Sequence, residues 1–363
     1  MNRALVLGLA LSLLVASCSG DEGEAQGQQG DPPATSTGEL DEFGIFADAR
    51  QQIPAEGVLP FDVIATLYAD EAWKRRFVRI PEGKAITYAN EGSWEWPDGS
   101  IIAKTFSFPL DMRDPSLGER LVETRLLIKE EGKWTARTYV WNEEQTTTER
   151  LRVGGIVPLT YVDAQGTTRS LDYRVPNENQ CVLCHSTNNV LEPLGPVTKM
   201  LARDYDYGDG RGPVDQIDHW ASLGILKGEI PEKQARPSLV NPFGDAPLED
   251  RARSYLDVNC SHCHRPGGAA SATNLLLLAK LTNPHDYGVC RTPVATGPAS
   301  GGLHYDIVPG KPDESILVHR MSSTAPEIKM PQIANQTVDQ AGLALIREWI
   351  EKMPAKSCGG DGS

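Results

Sequence analysis

Two stretches of the chain repeat one five-residue pattern. Cys181-Val182-Leu183-Cys184-His185 and Cys260-Ser261-His262-Cys263-His264 each place two thiols three positions apart, with an imidazole directly after the second. Thiols one helical turn apart can add to the vinyl groups on one edge of a haem, and the histidine that follows can swing onto the iron. A dithiol redox pair would need only the cysteines, and a tetrahedral zinc site would need four ligands. Histidine in the same place twice favours covalent c-type haem over zinc or disulfide staples. The expected cofactor is two covalent haem c groups, held by Cys181, Cys184, Cys260 and Cys263, with His185 and His264 as proximal iron ligands. For the distal side of the first haem the candidates are His219, preferred because it sits on a predicted helix beside Trp220, and Met200, close after the motif. An open or water-bound iron is the competing case. His262, inside the second motif, is expected at the surface or near a propionate.

An export signal fits this chemistry. Met1 to Ser17 has a charged start at Arg3 and an apolar run from Ala4 to Ala16 that is too short to cross a bilayer as a mature helix. Val15-Ala16-Ser17-Cys18 resembles the bacterial lipobox. The resemblance implies cleavage before Cys18, lipidation of that cysteine, and a protein anchored to a membrane and facing the periplasm. Ser19 after the cysteine, where inner-membrane lipoproteins often carry Asp, implies the outer membrane. An ordinary signal peptide with an incidental cysteine is the alternative. Of the seven cysteines, Cys290 and Cys358 then remain and are expected to pair as a disulfide in an oxidising compartment. A formal charge of -14 argues against nucleic acid as a partner and permits a basic or neutral redox partner protein.

Elements must position these residues. Residues 1–17 read as signal peptide and 18–42, almost without apolar residues, as a disordered tether with order beginning near Phe43. Residues 43–176 read as an antiparallel β domain: Phe77 to Ile80, Ala85 to Tyr88, Ile101 to Phe108, Arg120 to Ile128, Trp134 to Trp141, Ile156 to Val162 and Thr168 to Val175 are β-rich runs, several joined by hairpin turns. Trp94, Trp96, Trp134 and Trp141 are expected to pack in its core rather than to stack a ligand. Residues 177–247 hold the first motif and a linker, with a helix predicted over Val214 to Leu226. Residues 248–357 are expected to be mainly α-helical: Glu249 to Val258 runs into Cys260, Asp313 to Met321 follows, and Thr337-Val338-Asp339-Gln340 has capping-box order before Ala341 to Ile350. The predicted fold class is α+β, an N-terminal antiparallel β domain followed by helical haem domains. Asp204, Asp206 and Asp209 lack the glutamate that a calcium loop needs and read as a solvated turn.

Helix, haem motif, loops, Met-Pro and terminal helix is the order of a class I cytochrome c domain, which Cys260 to His264 and Lys329-Met330-Pro331 resemble. The resemblance implies Met330 as the distal ligand of the second haem, a soft thioether that stabilises ferrous iron. Through Phe43-Gly44-Ile45-Phe46, Lys104-Thr105-Phe106, Glu123-Thr124-Arg125-Leu126-Leu127, Tyr139-Val140-Trp141-Asn142, Val258-Asn259-Cys260 and Val308-Pro309-Gly310-Lys311-Pro312 the chain is similar to an uncharacterised family of bacterial lipoprotein dihaem c-type cytochromes. The expected function is a membrane-tethered carrier of single electrons between periplasmic or surface redox partners. The alternatives are a dihaem peroxidase-like or oxidase enzyme with an open first haem, and a structural lipoprotein stapled by metal or disulfide.

Overall fold

The computed structural model describes residues 37–333 and 335–359. Cys18, the 1–17 segment and most of the 18–42 segment lie outside the described residues. At the centre is an antiparallel sheet of six strands that runs as a meander, each strand bonded to the one before it. The strands are β1 (Val58–Phe61), β2 (Trp73–Arg79), β3 (Ile101–Pro109), β4 (Glu119–Glu130), β5 (Lys133–Trp141) and β6 (Thr148–Arg150). The two-residue turn between β4 and β5 holds Glu131 and Gly132 at positive φ, the geometry whose twist matches that of the flanking strands. A further hairpin, β7 (Gly155–Val162) and β8 (Thr168–Val175), packs its inward residues Leu159, Tyr161, Leu171 and Tyr173 against Phe106, Phe108 and Val122 of the sheet.

Strand alternation gives the sheet two buried faces. One carries Phe77, Ala103, Leu126 and Tyr139 and is covered by Leu40, Ile45 and Ala49. The chain is thus already folded upstream of Phe43, in a 3-10 turn over Gly38–Phe43 whose Leu40 is only 1% exposed. The opposite face carries Val78 and Ile102 and is covered by Trp94, Trp96, Leu201 and Trp220. Trp94, Trp96, Trp134 and Trp141 are all buried.

The helices are α1 (Glu178–His185), α2 (Gln216–Ser222), α3 (Leu248–Asn259), α4 (Ile316–Met321) and α5 (Gln340–Lys352). The expected α+β class with a mainly α-helical cytochrome c-like domain over 248–357 is overturned. Strand accounts for 26% and helix for 22%, and in the C-terminal third α3, α4 and α5 have only 12, 6 and 13 residues among turns and short 3-10 segments. The cause lies in Pro266-Gly267-Gly268, Pro284, Pro293, Gly297-Pro298, Gly301-Gly302 and Pro309-Gly310. Each proline removes a backbone donor and each glycine adds chain entropy to be lost, so no apolar helical period is sustained there.

Two helix boundaries also move. The 214–226 helix shrinks to α2, because Val214–Asp215 pairs with Asp204–Tyr205 and Leu226–Lys227 pairs in parallel with Ile86–Thr87. At α5 the N-cap is Asp339, whose carboxylate accepts from Gly342 N at 2.8 Å, and Thr337 is engaged elsewhere. Helices α3 and α5 cross through Tyr255, Leu256, Leu345, Ile346 and Trp349. Their approach depends on Gly342, where a Cβ would stand 2.3 Å from the Tyr255 ring and hydroxyl. The described residues belong to one compact unit.

Candidate functional site

Helix α1 exists to present the first motif. Asn177 caps it reciprocally with Gln180, Asn177 Oδ1 accepting from Gln180 N at 2.8 Å and Gln180 Oε1 from Asn177 N at 3.0 Å. Cys181 and Cys184 then sit one turn apart and His185 ends the helix. The second motif continues directly from α3, with Cys263 N and His264 N both donating to the Cys260 carbonyl.

The two motif histidines are held alike. His185 Nδ1 lies 3.2 Å from the Glu192 carbonyl oxygen and His264 Nδ1 lies 3.2 Å from that of Leu275. A carbonyl can only accept, so Nδ1 carries the proton and Nε2 keeps its lone pair for a metal. Burial reinforces this, pushing His185 down to about 3 and His264 below its ordinary value, so both rings are neutral.

Tertiary structure brings the motifs together. The ligand atoms of Cys184, His262 and Cys263 all lie within 4.8 Å of one another. Cys263 Sγ is also 3.4 Å from the Leu183 carbonyl, and Asn188 N donates to Gly267 O at 2.9 Å. Gly267 has φ +74, and a Cβ on it would stand 2.6 Å from Asn188 Oδ1, so a larger residue would strain this seam. The proximity of the two thiols holds Cys263 below its ordinary value and, with burial, drives Cys184 up.

Beside the seam opens a cavity of about 1050 Å³ whose wall includes Cys181, Cys184, His185, Met200, His262 and Arg265. Its sheet wall carries a row of cations in register: Arg76 opposite Lys104, and Lys104 opposite Arg125. Arg76 is paired with Asp62 at 2.8 Å, and Arg125 with the fully buried Glu123, which also accepts from Tyr173 Oη at 2.6 Å. Lys104 has no carboxylate partner among the described residues and rests 4.7 Å from the centroid of the Phe106 ring. Burial, and then the charges of Arg76, Lys74 and Arg125, push it well down, and Lys74 is pushed down to about 7 for the same reasons. Buried polar atoms without partners, His262 Nδ1, Arg253 Nε and Nη1, and Arg265 Nε, belong to residues of the same wall.

These residues fit a haem. At about 1050 Å³ the cavity lies just above the roughly 300–1,000 Å³ typical of small-molecule sites. It offers two thiols, a neutral imidazole with a free Nε2, and cations and orphaned donors suited to carboxylates.

Of the sequence-predicted ligands, Met200 lines this cavity. The preferred candidate, His219, does not: its ring stacks 4.0 Å from that of Tyr207 and its Nδ1 faces Arg211 at 3.3 Å. Its helix has 7 residues where a helix over 214–226 was expected, and the ring packs on Tyr207 and Arg211 in the loop before it. His262, expected at the surface or near a propionate, is 7% exposed, not at the surface, and lies against the first motif. Met330 N donates to the Arg320 carbonyl at 3.0 Å, and the Arg320 charge acts on His264. His285 and His304 are exposed. Cys290 and Cys358 form a disulfide with their Cα atoms 4.8 Å apart. The cation row was not anticipated; the signal was a basic residue at inward strand positions 76, 104 and 125, legible only once the register is known. No helix among the described residues is long and apolar enough to cross a membrane. Comparison with protein-family models, curated proteins and solved structures finds no match.

Proposed function

We propose that this chain is a dihaem c-type cytochrome, tethered through Cys18 on the periplasmic side of the outer membrane, that carries single electrons between redox partner proteins. The observation that carries the reading is the contact between the motifs: Cys184, of the first, lies within 4.8 Å of His262 and Cys263, of the second. A repeated attachment motif accounts for two cofactors, and adjacency gives them a reason to work together.

When bound, haem supplies a one-electron iron couple whose potential follows the axial ligands and the surrounding charge. The chain supplies everything else. Cys181 with Cys184, and Cys260 with Cys263, hold the two groups covalently, and His185 and His264 present Nε2 because backbone carbonyls hold Nδ1. Met330 serves the second site and Met200, in the cavity wall, the first. Arg253 and Arg265 offer positive charge to carboxylates.

Mass spectrometry of the mature protein, with haem staining after denaturing electrophoresis, tests this directly. Two covalent tetrapyrroles are expected, and none would end the reading. Ferric EPR then separates carrier from enzyme: two low-spin signals are expected, whereas a high-spin signal with turnover of added peroxide would make the chain a peroxidase-like enzyme.

A further inference from the structure

The segment that follows Met330 is gripped by a residue of the β region 266 positions away in sequence. Asp70 is 2% exposed, and its carboxylate accepts four hydrogen-bond contacts from one short stretch. Gln336 N donates to Oδ1 at 2.7 Å and Oδ2 at 2.9 Å, Thr337 N to Oδ1 at 2.8 Å, and Thr337 Oγ1 to Oδ1 at 2.7 Å. Tyr68 reinforces the grip from the same loop. Its hydroxyl is 2.7 Å from Thr337 Oγ1, and its N–H donates to Asn259 Oδ1, at the end of α3 just before the second motif, at 2.7 Å. One loop of the β region thus ties together the two pieces of chain that lead to Cys260 and away from Met330.

Between Met330 and α5 the described residues form no helix or strand that would hold the chain. Lys329 Nζ closes the loop onto the Asn335 carbonyl at 2.5 Å, and Met330 N is fixed to Arg320 O. The α5 cap is satisfied separately by Asp339, so the Asp70 bonds are not needed to start that helix. Asp70 and Glu71 hold positive φ values of 50° and 65°, a conformation that costs most residues free energy and that Asp and Asn tolerate best. A thioether is a weak iron ligand, so how firmly its loop is held decides how much of the time it stays on the metal.

We propose that Asp70 is a positioning residue for Met330: its carboxylate holds the 335–337 segment so that the thioether stays on the second haem's iron. This rests on the dihaem reading above and adds a role for the β region within it.

The test uses the full mature haem protein. Asp70→Gly removes the carboxylate while accepting φ 50° freely, and Asp70→Asn keeps an acceptor at the Oδ1 position. In Asp70→Gly the ferric methionine-to-iron absorption band should fall by at least half, and the ferrous-to-ferric ratio of the second haem at a fixed potential should drop about tenfold, which is about 59 mV for one electron. Asp70→Asn should restore most of both. Leu121→Ala, in the sheet face away from the motifs, serves as a control destabilised to a similar melting temperature and should keep the band. Asp70→Gly with two haems, a wild-type band and a wild-type potential overturns the proposal, as does an equal loss in the control. If Asp70→Gly yields no folded protein, Thr337→Val decides: a weakened band supports the proposal and an unchanged one overturns it. A Met330→Ala protein that keeps the band would instead sink the ligand assignment, and absence of haem the reading beneath it.

Discussion

Glu123→Gln probes the wall of the first site. The native carboxylate has no exposed surface, takes Arg125 Nε on Oε2 at 2.8 Å, and takes Arg125 Nη2 and the Tyr173 hydroxyl on Oε1. Glutamine keeps the shape but turns an NH2 group toward existing donors and removes the one counter-charge bonded to Arg125 among the described residues. Breaking a fully buried pair costs about 3–5 kcal/mol. Because 26% of the Arg125 side chain remains exposed, toward the cavity, we discount the expected cost to about 2–3 kcal/mol. Equilibrium urea unfolding reads this as a midpoint lowered by about 1 M, for a slope near 2–3 kcal/mol/M. Glu123→Gln/Arg125→Met should recover much of the loss, since no uncompensated charge stays beside Lys104. A single-variant cost below about 0.5 kcal/mol, or a double-variant cost equal to the sum of the singles within about 0.5 kcal/mol, would refute the reasoning.

Met200→Ala should convert the first haem toward a high-spin ferric signal, while His219→Ala leaves both haem spectra as they were; the reverse result would reinstate His219. Asp306 is pushed up to about 6, chiefly by burial. Its unfolded counterpart releases a proton near pH 4, so its stabilising contribution is present below that and is lost as pH rises through 6; we expect about 2 kcal/mol less stability at pH 8 than at pH 4 from this group. Asp306→Asn should flatten that stretch of the unfolding profile, and an unchanged slope would count against it. Cys290→Ser/Cys358→Ser opens a link between residues 68 apart and should cost about 4 kcal/mol, read from thermal or urea unfolding. Stability indifferent to the double change would mean that the link does not constrain the unfolded chain.

What sequence alone determined is local. The attachment motifs follow from thiol spacing and an adjacent imidazole, the six long strands from alternating apolar and β-branched runs, and α3 from its apolar spacing. Each signal lies within a window of some ten residues, where covalent geometry and backbone propensity dominate. Tertiary structure decided the rest. That the cavity wall bears Arg76, Lys104 and Arg125 in a row depends on strand register, and that Met200 lines the cavity while His219 packs on Tyr207 depends on how distant segments meet. Thr337 looked like a helix cap because its neighbours spell one, yet Asp70 claims it from 267 positions away. The helical C-terminal domain failed for a related reason: helix spacing was read in three short stretches and extended across a chain too rich in proline and glycine to sustain it. Pairings between distant segments leave no periodic trace in either partner, so the meeting of Cys184 with Cys263 becomes visible only when the chain is folded.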